Sequence, residues 1–337
     1  MATQSIDKIR PDDPRVQYKT ANLNGITYSY LLAEPVTRPK GVIFLIHGFP
    51  DLSFGWRYQI PTLTAMGLRV VAPDMVGYGG TEAPHELKYY THKRICDDMA
   101  ELARQLGYER ILLGGHDWGG ALVYKFAMWY PKLIAAFFSI CTPFAPLNKT
   151  FKDMTKRPNF KYQLQFIGSD LEKVINGEEK MKQMLTALYG GRGKNGEKGF
   201  DASHGVYIEN LGKLSLSPLL SQDELDFYGK RYALHPDVHG PLSWYRVQQL
   251  NWEDENAAGF TKDPADYKFE MPMLFIGAKR DAALIPSMSV GMEKYFRILT
   301  RGEVDANHWA LWEKPTEVNR LIEEFLDGQI SSLTAKL

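Results

Sequence analysis

Ile111-Leu112-Leu113-Gly114-Gly115-His116-Asp117-Trp118-Gly119-Gly120-Ala121-Leu122-Val123-Tyr124-Lys125-Phe126 decides the reading of this chain. An apolar run leads into Gly115-His116-Asp117-Trp118-Gly119, and a helix-like stretch follows. That is the strand, sharp turn and helix of a nucleophile elbow, with aspartate where serine usually stands. The flanking glycines let the backbone turn tightly and pack closely. The change of nucleophile changes the chemistry. A serine that attacked a saturated carbon would become an ether, which water does not readily cleave. An aspartate becomes an ester, which water can cleave. The elbow therefore predicts displacement at carbon followed by ester hydrolysis.

Gly41–Ile46, Arg69–Pro73 and Ala135–Ile140 are further short apolar runs, and Ile95, Met99, Leu102 and Leu106 line one face of a helix ended by Gly107. Strands alternating with helices predict a mainly parallel sheet covered on both faces, an α/β fold. From Phe144 to Pro241 the strand signal fades. Met181, Met184, Leu185 and Leu188 form a helical stripe, and Ser221 with Glu224 reads as a capping box. Gly190–Gly196 is rich in glycine but lacks the residues and leading strand of a phosphate loop, so it reads as a mobile surface loop. The α/β pattern resumes at Met273–Gly277, with a short last strand over Arg301–Asp305 and a closing helix through Val318, Leu321, Ile322 and Phe325. The expected architecture is a core of 1–143 and 242–337 interrupted by a helical lid over 144–241, with Tyr245 just past the lid boundary.

Composition narrows the class. The 337 residues are 44% hydrophobic and 12% aromatic, which suits a well-buried core. Forty basic and 40 acidic residues give a formal net charge of +0, so there is no electrostatic footprint for nucleic acid or an anionic membrane. Two cysteines, Cys96 and Cys141, build no disulfide framework. The start lacks a secretion signal, and the richest apolar window, Leu133–Cys141, is too short to span a bilayer. The expectation is a cytoplasmic protein without a membrane anchor, a monomer or homodimer, needing neither cofactor nor metal. His235 and His239 have i, i+4 spacing, but Pro236 argues against a helix presenting both to a metal.

Asp117 needs partners. In enzymes with such an elbow the chain order is nucleophile, acid, histidine, each beyond a strand. Asp281 follows the strand Leu274-Phe275-Ile276, and His308 follows the last strand, so both fall where that order requires. A carboxylate is already ionised near neutral pH and attacks without a base. His308 is needed afterwards, to take a proton from the water that attacks the ester, with Asp281 holding the imidazole. Oxyanion donors are expected from the backbone N–H groups of Trp118 and of Phe49 in His47-Gly48-Phe49-Pro50. His47 and His116 adjoin these motifs and read as structural hydrogen-bonders.

The set resembles the epoxide hydrolases of the α/β-hydrolase superfamily. The matching pieces are His47-Gly48-Phe49-Pro50, Gly55-Trp56-Arg57, Gly115-His116-Asp117-Trp118-Gly119-Gly120 and Asn307-His308-Trp309, and the likeness runs from about Val16 to Phe325. The first and third are shared with dehalogenases, so the lid discriminates. Phe160-Lys161-Tyr162-Gln163-Leu164 and Gly240-Pro241-Leu242-Ser243-Trp244-Tyr245-Arg246 are similar to the segments bearing the family's two lid tyrosines. The resemblance implies that Tyr162 and Tyr245 donate to the oxygen of an epoxide, the small-molecule substrate that water converts to a vicinal diol. Phe49, Trp118, Phe160 and Trp309 would then line an apolar pocket.

Two departures stand out. The acid follows Ala278-Lys279-Arg280 rather than Glu-Lys, and Asn307 stands where glycine often precedes the histidine. Neither the N-terminal phosphatase domain nor the anchoring extension of some relatives is expected. A haloalkane or haloacid dehalogenase would share the aspartyl ester but leave the tyrosines without a role. A ligand receptor on the same fold would leave the catalytic set unused.

Overall fold

The computed structural model describes residues 6–263 and 266–334, with side-chain environments through residue 330. Its strands are β1 (Val16–Leu23), β2 (Ile26–Ala33), β3 (Gly41–Ile46), β4 (Leu68–Pro73), β5 (Ile111–His116), β6 (Ile134–Ile140), a short pair β7 (Phe200–Asp201) and β8 (Gly205–Val206), then β9 (Met273–Ala278) and β10 (Leu299–Val304). The helices used below are α1 (His92–Gln105), α2 (Trp118–Trp129), α3 (Gln163–Ile167), α4 (Gly177–Leu188), α5 (Gln222–Tyr232), α6 (His239–Arg246), α7 (Gln248–Ala257) and α8 (Pro315–Thr334).

Eight strands form one sheet in the order β1-β2-β4-β3-β5-β6-β9-β10. From β4 to β10 all neighbours are parallel, while β2 runs antiparallel to both β1 and β4. Continuous burial explains the near-unbroken apolar sequences of the central strands: every residue of β5 and of β6 is buried. This is the α/β-hydrolase fold. The β1–β2 hairpin was not among the strands expected from the sequence. Asn24 and Gly25 both have positive φ (50° and 90°), the turn that matches strand twist and joins such pairs through two residues.

The chain divides into two compact units. One is built from Met1–Asp74, Cys96–Pro146 and Ala265–Leu337, the other from Met75–Ile95 and Leu147–Pro264. The second unit thus takes in segments on both sides of the 144–241 stretch read as a lid, Tyr245 among them. The reason lies in its own bonds: the Trp244 indole N–H donates to the Val76 carbonyl (3.0 Å), and the His92 N–H donates to Asn251 Oδ1 (2.7 Å). Within this unit Met181, Met184 and Leu185 bury one face of α4. Ser221 and Glu224 cap α5 reciprocally, side chain to backbone in both directions. Gly190–Gly196 belongs to a loop closed by an Arg192–Lys198 bridge and the Gly193 N–H to Glu197 carbonyl bond (3.0 Å). Among the described residues no helix is long and apolar enough to cross a membrane.

Candidate active site

The carboxyl ends of β3, β5, β9 and β10 carry the candidate residues, as parallel α/β sheets direct their sites. Asp117 occupies the tip of the elbow with φ 55° and ψ −121°, a backbone conformation that side chains rarely adopt. Packing enforces the strain. A Cβ at Gly119 would collide with the Ile46 carbonyl, so β3 and the start of α2 approach as closely as only glycine permits. Thr142 braces the turn by donating from its hydroxyl to the Asp117 carbonyl (2.7 Å). The Thr142 carbonyl in turn accepts from Ser139 (2.6 Å) and Tyr124 (3.0 Å). These three residues were not read from the sequence as part of the site.

The Phe49 N–H donates to Asp117 Oδ1 at 2.7 Å. A Cβ at Gly48 would collide with both that carboxylate and the Trp118 nitrogen, which places Trp118 N beside the same group. Trp118 is the first residue of α2, where helix N–H groups lack intrahelical partners and the dipole favours negative charge. Oδ1 therefore accepts from the Phe49 N–H with the Trp118 nitrogen near by, and Oδ2 faces the histidine.

His308 connects the two carboxylates. Its Nδ1–H donates to Asp281 Oδ2 at 2.7 Å, and its Nε2 stands 3.4 Å from Asp117 Oδ2. Asp281 is 3% exposed and also accepts from the N–H groups of Ala283 (2.9 Å) and Leu284 (2.8 Å). Burial alone would raise its pKa, but His308 and these N–H groups outweigh it and hold the carboxyl ionised below its usual range. Burial likewise works against a charge on His308, yet Asp281 and Asp117 overcome it and lift its pKa well above the ordinary value. The side chain keeps 23% exposure, so solvent moderates the effect without changing its direction.

The backbone of His308 is held too. His116 Nε2–H donates to the His308 carbonyl (2.8 Å), and the Cys141 thiol donates to the same oxygen (3.2 Å). Burial pushes the Cys141 thiol pKa well up and keeps it an S–H donor. The possible metal-ligating atoms of His116, Cys141 and His308 lie within 4.8 Å of one another, a convergence their shared carbonyl accounts for. His47 donates from Nδ1 to the Gly48 carbonyl (2.9 Å). Burial lowers the pKa of both His47 and His116 to about 4, so each is a neutral hydrogen-bonder.

The departures around the acid find their partners here. Arg280 turns to Asp305, and Asn307 donates to Glu313 from its backbone (3.0 Å) and its amide (3.0 Å). Trp309 packs edge-on to His308 and stacks on Trp312 at 4.5 Å. Asp117, Asp281, His308, Phe49, Trp118 and Trp309 all belong to the first unit. Phe160, Tyr162 and Tyr245 come together in the second. The Tyr162 and Tyr245 rings stand 6.1 Å apart edge to face, and Phe160 lies 6.4 Å from Tyr162. His239 opens α6 and pairs with Glu172 (3.1 Å).

A family model for the α/β hydrolase fold matches residues 41–315. The chain is 38% identical to epoxide hydrolase srdG of Neurospora crassa, over 96% of this chain and 98% of that one. It is 31% identical to epoxide hydrolase A of Mycobacterium tuberculosis, over 92% and 97%. Among solved structures, epoxide hydrolase A from Mycobacterium thermoresistibile superposes with a TM-score of 0.77 at 26% identity, covering 93% of this chain and 98% of that one.

Proposed function

The chain belongs to the epoxide hydrolases of the α/β-hydrolase fold, and on that premise we propose that it opens an epoxide through a covalent ester on Asp117. The observation that carries this reading is the line Asp281–His308–Asp117, with Phe49 N–H on the remaining carboxylate oxygen. Asp117 Oδ2 attacks one oxirane carbon, the ring C–O bond breaks, and its oxygen, hydrogen-bonded by Tyr162 and Tyr245 together, takes a proton from one of them. A phenol suits the step because it stays a neutral donor at pH 7. Oδ1, already at the Phe49 N–H, becomes the ester carbonyl oxygen.

Ester formation also prepares the second step. While Asp117 is ionised, His308 has two carboxylate neighbours and holds its proton. Alkylation neutralises Asp117, removes one of them, and lets His308 lose that proton, which by way of solvent restores the phenol that gave its own to the ring oxygen. Neutral His308 then takes a proton from water, and the hydroxide attacks the ester carbonyl carbon. The oxyanion rests on the N–H groups of Phe49 and Trp118. Collapse breaks the acyl C–O bond, and the diol leaves with a proton returned to its oxygen. Both cysteines are buried free thiols, in keeping with work in the reducing cytoplasm.

A single turnover of styrene oxide in ¹⁸O-water tests the route. The first diol released should carry no label, and the label should appear in the Asp117 carboxylate. Labelled diol from the first turnover, with unlabelled Asp117, would mean direct attack by water and would overturn the covalent mechanism.

A further inference from the structure

Two phenols that serve one oxirane oxygen must keep a fixed spacing, yet Tyr162 and Tyr245 come from segments far apart in sequence. Tyr162 immediately precedes α3, and Tyr245 lies in the last turn of α6. Ring contacts join them: Phe166 stands 5.2 Å from Tyr162 and 5.0 Å from Tyr245. Such contacts exclude solvent but define position loosely. The directional link is Arg246, the residue after Tyr245.

Its guanidinium reaches the carbonyl end of α3, donating from Nε to the Ile167 carbonyl (3.2 Å) and from Nη2 to the Gly168 carbonyl (2.7 Å). Nη1 donates to Glu172 Oε1 at 2.6 Å, and His239 Nδ1 lies 3.1 Å from the same carboxylate oxygen. The Arg246 side chain is 13% exposed, so these charge-assisted bonds are shielded from competition by water. A second bridge runs parallel. Gln248 donates to Gln163 Oε1 at 2.9 Å, and the Gln163 amide lies 3.5 Å from the Tyr162 hydroxyl.

We propose that Arg246, anchored by Glu172, is a positioning residue for ring opening: it fastens the Tyr245 helix to the end of the Tyr162 helix and so fixes the distance between the two phenols. The inference rests on the tyrosine roles proposed above. Arginine is needed because its planar fork serves two carbonyls and a carboxylate at once. A lysine could keep the ion pair but not span both carbonyls. The clamp acts on the tyrosines alone, so it governs ester formation and leaves ester hydrolysis, the work of His308 and Asp281, untouched.

The test is rapid-quench mass spectrometry of single turnovers with styrene oxide, following the rise and decay of the Asp117 ester in full-length Arg246→Ala, Arg246→Lys and Tyr245→Phe. Misplacing a reacting group by about 1 Å costs roughly 100-fold. Arg246→Ala should therefore slow ester formation by roughly 10- to 100-fold and Arg246→Lys by about tenfold, with decay within about twofold of the parent in both. Should Arg246→Ala fail to fold, Arg246→Lys carries the test. Normal ester formation in the arginine variants beside slow formation in Tyr245→Phe would overturn the clamp, as would equal losses in formation and decay. Normal formation in Tyr245→Phe would overturn the tyrosine reading, and the clamp with it.

Discussion

Acid should destabilise this protein in a pH range where its carboxylates are not yet involved. His47 and His116 are 1% and 0% exposed, and burial lowers both pKa values to about 4. In the unfolded chain each titrates near 6.5. The unfolded state therefore binds protons first, and stability falls as pH drops from about 6.5 towards 4. Between pH 7 and 5 the linkage relation gives a loss of about 2 kcal/mol for each histidine, about 4 kcal/mol together. His308 works in the opposite sense. Its folded pKa is raised, so its contribution is fully present below about 6.5 and is lost only as pH climbs through its folded value. Asp281 is depressed, so it contributes above the unfolded carboxylate pKa and is lost only below it. Neither His308 nor Asp281 therefore contributes a loss between 6.5 and 5, where the two buried histidines do. Urea unfolding followed by tryptophan fluorescence at pH 7 and 5 gives the loss directly. His47→Asn and His116→Gln, each keeping a donor near the original nitrogen, should each reduce it by about 2 kcal/mol. A loss below about 1 kcal/mol in the parent, or an unchanged loss in both variants, would refute the reasoning.

Three substitutions probe the site more locally. Asp117→Asn should lower turnover by at least roughly 10⁴-fold in a sample checked for deamidation, since the nucleophile is gone; near-parent diol formation would contradict it. Tyr162→Phe with Tyr245→Phe should cost roughly 10² to 10⁴ in ring opening, the usual worth of a general acid, measured as the rate of ester formation. Thr142→Val removes one of two donors to the Asp117 carbonyl, the Ala121 N–H remaining at 3.0 Å. It should cost about 1 kcal/mol, a fall of about 1–2 °C in Tm for a chain this long, read by calorimetry.

The elbow was legible because its constraints are local. A strand, a strained turn and close-approach glycines must be adjacent in sequence to exist at all. Asp281 and His308 could be found for a related reason: parallel strands deliver their next residues to one end of the sheet, so chain order stands in for proximity. The residues that brace the site had no such signature. Thr142, Ser139 and Tyr124 act through hydrogen bonds between elements, and nothing in Ser139-Ile140-Cys141-Thr142 announces that its hydroxyl groups turn towards the elbow. Cys141 reads as a small apolar residue until the His308 carbonyl appears against its thiol. The β1–β2 hairpin carried a local signal in Asn24-Gly25, but β1 is largely exposed and both strands are interrupted by polar residues, so they lack the unbroken apolar runs of the central sheet. Arg246 is the clearest case of long-range information. Its partners, Ile167, Gly168 and Glu172, lie more than 70 positions away.

The covalent ester is the central claim, and intact-protein mass spectrometry of His308→Gln tests it most directly. Without the base, ester hydrolysis should stall. Mixed with styrene oxide, the variant should gain the whole mass of one epoxide, and peptide mapping should place it on Asp117. With 1-bromobutane it should gain nothing. A butyl adduct with bromide released, and none from the epoxide, would contradict the account and assign the elbow to dehalogenation.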